Sequence, residues 1–112
     1  MLKIGQKQVA AIEEANLRAF AVDAARHLRR VIPDRLAGLD DGALRASLRR
    51  RLSQAISFGI TDRFDALRYL ESSYVLGWSD EGPDEEARAV LTRRGLRAAA
   101  KVDLIEQRTA EL

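Results

Sequence analysis

The chain has 112 residues, 46% of them hydrophobic, and no cysteine. That is enough apolar material for one ordinary domain with its own core, and it excludes disulfides, thiolate metal sites and a cysteine nucleophile. The 19 basic and 17 acidic residues leave a net charge of +2, too near balance for a strong field over the whole molecule.

The sign is uneven along the chain. Residues 1–51 hold 11 basic and 6 acidic groups, and residues 52–112 hold 8 and 11. One half could meet an acidic partner and the other a basic one. The stretch MLKIGQKQVAAIEEA has no uninterrupted apolar run, so no signal peptide is expected. No segment approaches the ~18 apolar residues of a membrane span. The expectation is a cytoplasmic protein without membrane insertion.

A first helix is predicted from about Lys7 to Val31, with Val9, Ile12, Phe20, Ala24, Leu28 and Ile32 on one face and a possible break at Asn16. Pro33 should end it, because proline disfavours helical geometry in the residue before it. Asp34–Gly42 reads as a connector with at most a short turn, and Asp40 or Asp41 can cap the next helix. That second helix spans about Ala43 to Phe58, with Leu44, Leu48, Leu52, Ala55 and Ile56 inward, and Gly59 stops it.

Thr61 is the expected cap of a third helix, whose broad apolar side would be Phe64, Leu67, Leu70, Tyr74, Val75 and Trp78. Ser79–Pro83 is a polar turn. Asp84, Glu85 and Glu86 suit the positive end of a fourth helix, with Gly95 as its C-cap. A fifth helix, about Leu96 to Arg108, is apolar on more than one side. The predicted fold is all-α: residues 1–112 as a single domain, an irregular bundle of four to six helices.

Catalytic chemistry finds little footing. His27 is the only histidine and has no obvious partner. With no cysteine beside it, a metal site is not expected. The acidic run from Asp80 to Glu86 lacks the regular spacing of a calcium loop and reads as a solvated turn. Ser72 and Ser73 have no nucleophile elbow around them, and no glycine-rich phosphate loop is present. No catalytic residue, cofactor or metal is predicted, and the chain is read as a non-enzyme.

Binding residues are easier to name. Arg49-Arg50-Arg51 is the best nucleic-acid candidate, although consecutive helical positions diverge by about 100° and do not form one stripe. Tyr69 falls off the Leu67/Leu70/Tyr74 stripe and sits beside Arg68, the composition of an exposed interface anchor.

The segments HLRRVIP, SFGITDRFDALRYLESSYVLGW and AVLTRRGLRAAAKVDLIE resemble small helical proteins encoded beside spike, PAAR-tip and toxin genes of bacterial type VI secretion systems. His27-Leu28, Ile32-Pro33, Phe58-Gly59-Ile60, Arg68-Tyr69 and Leu76-Gly77 fill that group's layout, from about Ile4 to Glu106. The chain departs from it after Trp78, where SDEGPDEE is short and acidic. The resemblance implies a non-catalytic accessory of a secreted effector or spike component, as adaptor, chaperone-like factor or immunity partner. It carries no catalytic motif. Combined with the apolar surplus of the third and fifth helices, it points to Arg49, Arg68, Tyr69, Trp78 and Ile105 as partner contacts. The alternative is a nucleic-acid-binding regulator using the arginine-rich second helix.

Overall fold

The computed structural model describes residues 16–112; Val9 and Ile12, and any part of the first helix before Asn16, lie outside them. Among the described residues six helices succeed one another: α1 (Leu17–Val31), α2 (Pro33–Leu36), α3 (Asp41–Ser57), α4 (Arg63–Val75), α5 (Glu85–Leu91) and α6 (Ala98–Ala110). The fold is all-α. Among the described residues the only β pairing is an isolated bridge between Ser79 and Gly82.

Asn16 is the N-cap position of α1, which turns Phe20, Ala21, Ala24 and Leu28 inward. Pro33 stops α1 as expected, but the chain does not become a plain connector. Ile32 leaves the helical conformation (φ −136°, ψ 55°) and Pro33 opens the four-residue α2. Proline's fixed φ suits a first helical position, whose N–H has no helical acceptor. Leu36 of α2 is fully buried, and that anchorage makes the segment a helix rather than a loop.

Two helix ends share one device. At Gly59 (φ 87°), Ile60 N–H donates to Ala55 O and Gly59 N–H to Ile56 O, both at 2.9 Å. At Gly77 (φ 76°), Trp78 N–H donates to Ser73 O at 3.0 Å and Gly77 N–H to Tyr74 O at 3.1 Å. Both are Schellman closures, in which the left-handed residue lets two late carbonyls find donors. Each drives the next residue, Ile60 or Trp78, into the core.

Three aspartates cap the helices that emerge from loops. Asp40 accepts from Ala43 N at 2.7 Å, Asp62 from Asp65 N at 3.1 Å and Asp84 from Ala87 N at 2.9 Å. The cap of α4 is thus Asp62 and not Thr61. Both types can cap, and the inward register of Ala66, Tyr69, Leu70 and Ser73 selects the later start. The same register turns Phe64 out, 69% exposed, so it is not a core residue. Helix α5 ends at Leu91 with Thr92 as C-cap; Gly95, although at φ 81°, belongs to the turn beyond it and caps nothing.

Helix α1 packs on α3, α3 on α4, and α4 on α6, with α5 against α6 and α2 between α1 and α4. Leu28, Leu36, Leu44, Leu48, Leu52, Ile60, Leu70 and Leu91 form the centre of one continuous core. Helix α6 buries only Val102 and Ile105. Its attachment is reinforced from outside by Arg68 on Asp103 and Glu106 and by Arg108 on Asp84 and Glu86. No described helix is long and apolar enough to cross a membrane.

Candidate functional site

Helix α3 carries two stripes. Leu44, Leu48, Leu52 and Ala55 pack inward. Beside them Ser47, Arg50, Arg51 and Gln54, also at helical spacing, reach for the loop beyond Trp78. Ser47 Oγ donates to Asp80 at 2.5 Å, which uses its only proton, so the 2.6 Å contact with Tyr74 has the tyrosine hydroxyl as donor. Arg51 donates to Asp80 at 3.1 Å, to Ser73 Oγ at 2.9 Å and to the Trp78 carbonyl at 2.6 Å. Gln54 donates to the backbone carbonyl of Asp80 at 2.8 Å.

The Arg51 guanidinium also lies 3.9 Å from the Tyr74 ring centroid, where the ring face attracts a cation. Burial alone would raise the Asp80 pKa, but hydrogen bonds from Ser47 and Arg51 and the charges of Arg51 and Arg50 outweigh it and hold the carboxyl below its ordinary value. Ser47 is 3% exposed and Arg51 5%. This network clamps the loop to α3 and offers no accessible nucleophile. The acidic run is therefore not a purely solvated turn: Asp80 belongs to the clamp. Asp84 is held below its ordinary pKa by Arg108 and by the Ala87 N–H.

The five predicted contact residues separate. Tyr69 is fully buried, not exposed, and so is Ile105; Trp78 is 7% exposed. The helical angle that takes Tyr69 off the Leu67 stripe turns it into the core instead of out to solvent. Tyr69 and Trp78 meet edge-on, with ring centroids 5.7 Å apart. Among the described residues, neither Tyr69 OH nor Trp78 Nε1 has a hydrogen-bond partner. Burial, opposed by the charges of Arg51 and Arg88, pushes the Tyr69 hydroxyl up to about 12.

Arg68 is mostly enclosed and bound to Asp65, Asp103 and Glu106. It fastens α4 to α6 and presents little free charge. Only Arg49 remains exposed. The arginine triplet divides likewise: Arg50 reaches Asp80 at 3.3 Å and Arg51 is interior.

What sequence reasoning missed is the groove between α1 and α3. Two adjoining clefts, about 250 and 220 Å³, share Arg45. One is lined by Val22, Ala25, Arg26, Arg29 and Asp41, the other by Arg18, Ala21, Gly42, Ala46 and Arg49. Arg18, Arg26, Arg45 and Arg49 are exposed, and none has an ion pair with a described residue. The available signal was Arg18/Val22/Arg26 and Arg45/Arg49, each at a spacing of four.

Among the described residues, no three histidine, aspartate or glutamate side chains cluster as a metal would need. In comparison with known proteins, the chain matches no family model, no curated protein and no solved structure.

Proposed function

We propose that this chain is a non-catalytic protein-binding module that works in the cytoplasm through the α1/α3 face. The observation that carries this reading is the set of exposed arginines without described partners, arranged around the partly exposed Val22. Arginine beside apolar surface is the composition of interface centres, because guanidinium binds carboxylates in a fork and is weakly hydrated. The sequence resemblance supplies the biological setting: an accessory of a type VI secretion effector or spike component, acting as adaptor, chaperone-like factor or immunity partner.

Co-purification with the products of the genes flanking its own tests the proposal. A retained partner that is lost with Arg45→Glu plus Arg49→Glu is expected. Retention of no flanking product by the wild-type chain would remove the accessory role. The same exposed arginines are what favours the second reading, a nucleic-acid-binding regulator. A salt-dependent mobility shift abolished by that double variant would support it.

A further inference from the structure

Resting on the protein-binding reading, the groove also indicates what kind of surface fits it. Along α1 the lining runs from Arg18 to Arg29, about 16 Å at ~1.5 Å per residue, or three helical turns. Because Arg18 lies across from Arg49 and Arg29 across from Asp41, α1 and α3 are antiparallel here. Gly42, which has no side chain, and Ala46 are exposed between the two rows above the buried Ala21, which lets another backbone approach closely. Val22, 38% exposed, and Ala25 supply an apolar strip. Arg29 is already engaged, donating to the Leu39 carbonyl at 2.7 Å and pairing with Asp41 at 3.3 Å. The other four arginines flank the strip.

We propose that this groove takes an acidic amphipathic helix of a partner protein, laid as a third helix against α1 and α3. Its small apolar residues would cover Val22 and Ala25, and carboxylates at spacings of three and four would meet Arg18, Arg26, Arg45 and Arg49. Nucleic acid fits less well. A phosphate backbone gains nothing from Val22, and Asp41 stands at one end. A second copy of this chain also fits less well, since Asp103, Glu106, Asp84 and Glu86 of its acidic half are held by Arg68 and Arg108.

The test is a nuclear magnetic resonance titration of the full chain with a synthetic helical peptide of Glu, Ala and Leu, amphipathic by design. The same peptide with Lys for Glu and a short DNA duplex serve as controls. Saturable shifts confined to residues 18–29 and 41–49 are expected for the acidic peptide. Arg45→Glu plus Arg49→Glu should weaken them at least ~10-fold, as expected for reversed interfacial charges. Both positions are exposed, so an unchanged spectrum elsewhere verifies the fold of the variant. Absence of saturable shifts, insensitivity to the double variant, or tighter occupation of the same residues by the duplex would overturn the inference. Capture of a flanking-gene product that ignores the double variant would overturn the groove and leave the accessory role. Peptide binding with no such capture would do the reverse.

Discussion

The face that α3 turns toward α1 and the face it turns toward the Trp78–Asp84 loop are both built on arginine, yet they do opposite things. Arg45 and Arg49 stand exposed with no described partner. Arg51, two residues on, is 5% exposed and shared among Asp80, Ser73 and the Trp78 carbonyl. An enclosed guanidinium with its donors satisfied becomes part of the architecture, because removing it strands acceptors away from water. An exposed one costs the fold almost nothing and remains available to a ligand.

The largest effect is expected at the interior arginine. Arg51→Ala leaves Asp80, Ser73 and a carbonyl without their donor and should lower unfolding free energy by about 3–5 kcal/mol, measured by urea denaturation. A loss near that of an exposed position would erase the contrast between the two faces. Tyr69→Ala should cost a similar amount, about 3–5 kcal/mol for a buried aromatic. Tyr69→Phe should be nearly neutral, because the hydroxyl it removes has no partner among the described residues. A marked loss for Tyr69→Phe would show that the hydroxyl is satisfied after all.

pH separates the regions next. The Asp80 and Asp84 pKa values are lowered from 3.8. Their stabilising contribution is complete above that value and disappears as pH falls through the lower native values. Asp80→Asn should flatten this acid limb. The Tyr69 pKa is raised from 10.0 to about 12, and that of Tyr74 is also raised, by burial. Stability should therefore hold below pH 10 and fall as pH rises from 10 toward about 12, with tyrosinate absorbance appearing together with unfolding. The smallest effect is at Arg49→Ala, within about 0.5 kcal/mol in stability, although partner binding should drop.

Much of the fold was legible locally. Asp40, Gly59, Gly77 and Asp84 act within a few residues of themselves, so their chemistry can be read from short spacings. The leucine stripe of α3 was legible for the same reason. The register of α4 was not: Thr61 and Asp62 are both competent caps, and inward packing of Tyr69 and Leu70 chose between them. Nor was α2, where burial of Leu36 turns a connector into a helix. Candidate site residues fared worse, because a side chain's exposure depends on what another helix brings against it. Tyr69 and Ile105 are fully buried, and Arg68 is taken by Asp103 and Glu106.

By itself, the sequence determined that this is an all-α chain, where most of its helices stop, and that its basic residues gather in the first half. These features come from backbone sterics, capping and periodicity, which act over a few residues. Only the tertiary structure decided which arginine is a strut and which is a surface. Arg49 and Arg51 are the same residue type two positions apart, and helical geometry turns one to water and the other to Asp80. The loop beyond Trp78, nearly thirty residues away along the chain, had to fold back before that difference existed.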